Sequence, residues 1–201
     1  MLTLSPGHAQ QPPVRLVVLG DSLSAGFGLP AQDALPAKLE HALNARGIAA
    51  KIENAGVSGD TASGGLSRLD WSVPEGTDAV IVELGANDAL RGIDPKATRA
   101  ALETIVTRLK ERHIAVLLAG MLAPRNLGED YAKAFDPIYP ELAAAHDLVF
   151  YPFVLDGVAG DHALNQADGM HPTAAGVDVI VSRMLPKVEE LIGRVRAGKG
   201  S

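Results

Sequence analysis

The chain has 201 residues, 47% of them hydrophobic and 21% charged, with a formal net charge of −6. That length and balance suit one α/β domain with a full core and leave little room for a second. The acidic balance argues against a nucleic-acid surface, which needs clustered Lys and Arg. The absence of cysteine excludes disulfides, thiolate metal sites and a cysteine nucleophile.

Residues 1–13 read as a tail. Its small-residue run around Ala9 resembles the cleavage region of a secretory signal that lacks its charged start and apolar middle. A periplasmic or secreted location follows from that reading, and a cytoplasmic one from a plain disordered tail. No apolar stretch reaches the ~18 residues of a membrane span. One domain is expected over residues 14–196, with a frayed tail at 197–201.

Residues 15–19, apolar without a break from Leu16 and ending at Gly20, show the pattern of a buried parallel strand. Asp33 can cap a helix carrying Leu35, Leu39 and Leu43, which stops at Gly47. Residues 48–54 form a weaker second strand and residues 61–71 a short helix after a glycine turn. Residues 78–84 are the third strand. Asp94-Pro95 marks a helix start, a cap followed by Pro at the first turn, and the helix buries Leu102, Ile105, Val106 and Leu109. Residues 115–119 are the fourth strand. Residues 130–146 are helical in pattern, with Pro137 and Pro140 bound to kink or divide them. Residues 148–153 are the fifth strand, and residues 173–196 a long amphipathic helix with Val177, Ile180, Val181, Met184, Leu185, Val188 and Leu191 inward. This alternation predicts βαβ units, hence a three-layer α/β fold with a parallel sheet between helices.

Four runs carry the chemistry: Gly20-Asp21-Ser22-Leu23, Ser58-Gly59-Asp60-Thr61, Gly85-Ala86-Asn87-Asp88 and Asp168-Gly169-Met170-His171-Pro172. Each falls just after a predicted strand or just before the last helix. Ligands of open parallel sheets bind at that edge. Ser22 there is either a nucleophile or the cap of a turn. His171 has a carboxylate three residues ahead, so Asp168 can accept from one ring nitrogen and leave the other for Ser22. The alternative is a helix-start Asp beside a surface His. His162, next to Asp161, is the rival base. His8, His41, His113 and His146 lie in the tail or at helical stretches. Gly59 and Asn87 can supply an N–H and an amide to an oxyanion, or merely shape their loops. Asp21, Asp60 and Asp88 sit in separate glycine turns and are expected to tie those loops by local Asx hydrogen bonds rather than hold a metal. Gly26-Phe27-Gly28-Leu29-Pro30-Ala31 fits a dinucleotide fingerprint on paper. It begins too far past the strand end at Gly20, and Pro30 stands where the phosphate-binding helix should run.

These runs resemble the four blocks of the SGNH, or GDSL, hydrolase family, and the likeness extends over roughly residues 16–191. Further runs, Val82-Glu83-Leu84-Gly85-Ala86-Asn87-Asp88, Leu90-Arg91-Gly92 and Ile138-Tyr139-Pro140, are similar to its bacterial arylesterase, thioesterase and lysophospholipase branch. Position 86 is Ala where that branch often has Gly. The resemblance implies Ser22 as nucleophile, His171 as base and Asp168 as its partner. It implies an oxyanion hole from the Ser22 N–H, the Gly59 N–H and the Asn87 side chain. It also implies a flavodoxin-like doubly wound sheet of order 2-1-3-4-5. The expected reaction is a two-step acyl transfer needing no cofactor or metal. Its substrates are small carboxylic esters of short-to-medium acyl chains and aryl esters, with thioesters and lysophospholipids second and an acyltransferase on the same triad as the alternative. Asn87→Ala is expected to slow turnover with little change in stability. Leu23, the run 121–128 and the run 153–155 should wall the acyl pocket, and a monomer is expected.

Overall fold

The computed structural model describes residues 12–198. Almost all of the expected tails, and His8 with them, lie outside the described residues. The sheet is five-stranded, in the order β2-β1-β3-β4-β5. Its strands are β1 (Val14–Gly20), β2 (Ala50–Gly56), β3 (Ala79–Glu83), β4 (Ala115–Ala119) and β5 (Val149–Tyr151), and every pairing is parallel. This is the doubly wound order that the family resemblance implies. β3 and β4 are buried along their whole length, which is why both read as unbroken apolar runs.

The helices are α1 (Ser22–Ala25), α2 (Leu35–Ala45), α3 (Ala62–Ser67), α4 (Leu69–Ser72), α5 (Ala86–Leu90), α6 (Pro95–Glu111), α7 (Glu129–Phe135), α8 (Ile138–His146) and α9 (Ala174–Arg196). One layer pairs α2 with α9, and α9 also packs on β3, β4 and β5. The other joins α3, α6 and α8, with α6 on β4 and α8 on β4 and β5. The inward sets expected for α6 and α9 are all buried. Among the described residues, no helix is long and apolar enough to cross a membrane.

Several boundaries differ from the sequence expectation. Asp33 does not cap α2: the N-cap is Ala34, without a side-chain bond, and Asp33 instead ends a 3₁₀ turn and pairs with Lys38 at 3.4 Å. β2 begins two residues late, because Ile48 N–H is spent on Leu43 O closing α2. The helix expected over 61–71 is broken at Arg68, whose guanidinium turns inward to Asp60, Ala55 O and Gly20 O. The helix expected over 130–146 divides between Phe135 and Ile138, at Pro137. Pro140 falls in the first turn of α8, where a missing N–H breaks no bond. α9 runs through Pro186, which faces solvent so that the freed Ser182 carbonyl can meet water.

The register fixes the site. Gly20 pairs with Gly56 on one side and Glu83 on the other. The carboxyl ends of β1, β2 and β3 are therefore level, and the loops that follow them open on one rim where the strand order reverses.

Candidate active site

Asp21 follows β1 and caps α1: its Oδ1 accepts from Leu23 N–H at 3.0 Å. Ser22, the first residue of α1, is thereby fixed with its hydroxyl on the rim. The loop before α9 brings His171 to it across the chain, with Nε2 2.9 Å from Ser22 Oγ. His171 Nδ1 stands 2.6 Å from Asp168 Oδ2. Asp168 Oδ1 accepts from the N–H groups of Met170 and His171 at 2.9 and 3.0 Å. Those two backbone bonds, together with the imidazole, hold Asp168 down to about 2. A carboxylate so held stays ionised at neutral pH. Sequence-predicted Ser22, His171 and Asp168 are thus one hydrogen-bonded row. His162 is exposed and does not reach it.

The N–H groups of Ser22 and Gly59 have no acceptor among the described residues. Gly59 adopts a φ of 85°, a left-handed conformation suited to glycine. Asn87 stands in α5, after a turn at Gly85 with φ 114°. A Cβ at Gly85 would lie 2.0 Å from Tyr139 Oη, which donates to Leu84 O at 2.8 Å, so the turn is pressed against a buried tyrosine. Asn87 Nδ2 donates to Asp21 Oδ2 at 3.1 Å and to Asp60 O at 2.9 Å. Both amide hydrogens are therefore engaged, in contrast to the two free backbone donors.

Beneath the row lie two acids that the apolar patterning hides. Asp21 is fully buried, and desolvation raises it to about 6 against the opposing bonds from Leu23 and Asn87. Glu83, the last residue of β3, is also buried. Desolvation, with Asp21 beside it, pushes it well above the usual carboxylate range. Its Oε2 accepts from Ser24 Oγ at 2.6 Å while Oε1 has no partner among the described residues. A charged residue ending an otherwise apolar strand run was the signal in the sequence. Only Asp21 makes the expected local Asx bond. Asp60 instead pairs with Arg68 at 2.7 Å, and Asp88 joins α3 to α6 through Ala62 N–H and Thr98 Oγ.

A cavity of about 540 Å³ opens beside Ser22, Asn87 and His171. The expected walls Leu23, residues 121–125, Phe153 and Leu155 line it. Asn126, Leu127 and Gly128 do not, Val154 is in the core, and Gly59 lies outside the cavity wall. Patterning missed Leu90 and Met170 in the wall. It also missed Phe27, whose ring centroid is 4.5 Å from that of His171. A site of this shape can take an apolar acyl chain and present its carbonyl to a hydroxyl and an imidazole.

The chain is 38% identical over 165 residues to an arylesterase of Vibrio mimicus, covering 82% of each chain. It is 36% identical over 178 residues to the thioesterase 1/protease 1/lysophospholipase L1 of Escherichia coli, covering 88% of this chain and 84% of that one. Among solved structures it is similar to AlinE4, an SGNH-hydrolase family esterase, with a TM-score of 0.77 and 45% identity over 90% of this chain and 98% of that one. Residues 18–179 match the GDSL-like lipase/acylhydrolase family, and the chain belongs to it.

Proposed function

We propose that Ser22, His171 and Asp168 are the catalytic triad of this carboxylic ester hydrolase. The observation that carries the reading is the unbroken row from Asp168 Oδ2 through both ring nitrogens of His171 to Ser22 Oγ. Neutral His171 takes the Ser22 proton at Nε2 as Oγ bonds to the ester carbonyl carbon, and Asp168 stabilises the imidazolium that forms. The oxyanion rests on the free N–H groups of Ser22 and Gly59 and on Asn87. The Asn87 amide joins them by sharing the longer of its two bonds, that to Asp21. As the carbonyl reforms, the C–O bond of the leaving group breaks and the departing alcohol takes the proton from His171. Water then adds to the acyl-enzyme by the same steps and releases the acid with Ser22 restored.

The apolar cavity supports esters of short-to-medium acyl chains and aryl esters as substrates. A thioester or lysophospholipid is the second reading, favoured by the name of the Escherichia coli relative. The signal-like run around Ala9 supports a periplasmic or secreted location, to be checked by cell fractionation, and the expected monomer is checked by size-exclusion chromatography. Nitrophenyl esters of rising acyl length, run beside a matched thioester, test the substrate reading. The expected result is a maximum of kcat/KM at short-to-medium esters that Ser22→Ala abolishes. Turnover by Ser22→Ala, or a preference for the thioester, would overturn it.

A further inference from the structure

The proposed nucleophile and base sit 149 residues apart in sequence, one at the start of α1, the other in the loop before α9. Neither belongs to an element that contains the other. Their 2.9 Å separation therefore depends on how the loop carrying His171 is held against the turn that follows α1. Two residues make that junction. Gln166 Nε2 donates to Phe27 O at 2.7 Å and to Pro172 O at 2.9 Å, and the Gln166 backbone N–H donates to His171 O at 2.7 Å. Phe27 N–H donates to Ser22 O at 3.1 Å, and the Phe27 ring lies over the His171 ring, tilted by 36°. Gln166 thus grips the carbonyl of the residue tied to Ser22 and the carbonyls of both His171 and Pro172.

The residue types fit the task. A neutral amide offers two hydrogens from one nitrogen in a plane, and both are spent on carbonyls of two separate segments. Close approach is built in: a Cβ at Gly28 would lie 2.4 Å from Gln166 Oε1, and Gly28 has a φ of 74°. Phe27 keeps half of its surface exposed, 49%, while its ring packs on the imidazole. An apolar residue so placed is explained by what it touches.

We propose that Gln166 and Phe27 are positioning residues that clamp the imidazole of His171 onto the hydroxyl of Ser22. The inference rests on the triad reading above. Misplacing a reacting group by about 1 Å slows a reaction by about 10²-fold, so loosening the clamp should act on the chemical step and leave substrate binding alone.

The test compares Gln166→Met, which keeps length without donors, Gln166→Glu, which sets a carboxylate against carbonyl oxygens, and Phe27→Leu, which keeps an apolar contact and all the hydrogen bonds. With a nitrophenyl ester, both Gln166 variants should lose about 10- to 10²-fold in kcat, Gln166→Glu the more, with KM within about threefold. Phe27→Leu should lose less. In a His171→Ala background the same substitutions should leave the residual rate unchanged, because nothing remains to be positioned. A merely structural role would lower the melting temperature, and would lower the residual rate in both backgrounds alike. The clamp is refuted if Gln166→Glu and Phe27→Leu keep wild-type kcat, or if their losses persist without His171. If either Gln166 variant fails to fold, Phe27→Leu decides. Failure of the triad itself would look different, as wild-type turnover by His171→Ala alone.

Discussion

Asn87→Ala tests the oxyanion site and its scaffolding together. Loss of a preorganised donor lowers kcat by about 10²–10³-fold, or about 2.7–4 kcal/mol, with KM little changed. The structure adds a stability term that the sequence did not suggest. Asn87 Nδ2 serves two acceptors, the buried Asp21 Oδ2 and Asp60 O. A buried acceptor left without a donor costs about 1–3 kcal/mol. Water can replace the donor at half-buried Asp60, so the total should stay at about 1–3 kcal/mol. The loss should also depend on pH. The Asn87 bond is one of the contacts holding Asp21 down at about 6, against desolvation. Without it the folded-state value rises further. A carboxyl raised in the folded state loses stability as pH increases through that value. The variant should therefore be hurt more at about pH 8 than at about pH 5. Nitrophenyl-ester kinetics read the first effect and urea melts at the two pH values the second. A kcat within about threefold of wild type, or a stability loss independent of pH, would refute the reasoning.

Glu83→Gln removes a buried carboxyl raised well above its ordinary range. Wild-type stability should fall as pH rises through that value, and the variant's urea midpoint should be flatter with pH and higher on the alkaline side. Tyr139→Phe leaves Leu84 O without its 2.8 Å donor behind the Gly85 turn and should cost about 1–3 kcal/mol in a urea melt. Asp168→Asn keeps the shape but not the charge that orients His171, and kcat should fall by about 10³–10⁴-fold. Asp168 is held at about 2, so its contribution to stability is lost as pH falls from about 4 toward 2. Acid melts of the Asn variant should be shallower across that window.

The strands and the long helices were legible because burial on both faces writes itself as apolar runs, and one-sided burial as a helical period. β3, β4 and the inner face of α9 are of this kind. Ser22, His171 and Asp168 were legible because the row needs one local pair, residues 168 and 171, and one strand end. Where expectation failed, a tertiary contact decided. Arg68 breaks a helix because its guanidinium is drawn to Asp60 and Gly20 O. Asp33 gives up its cap position for Lys38. Asp21, Glu83 and Gln166 work through partners 59 to 139 residues away, and no local pattern announces such pairs.

On the proposed mechanism the hydroxyl of Ser22 becomes a nucleophile because an imidazole held by a carboxylate stands against it. Mass spectrometry of the protein after incubation with a fluorophosphonate tests it most directly. One phosphonyl group should appear on the peptide containing Ser22 as ester turnover is lost, and His171→Ala should block the labelling. A label on any other residue, or full turnover by protein labelled at Ser22, would contradict the account.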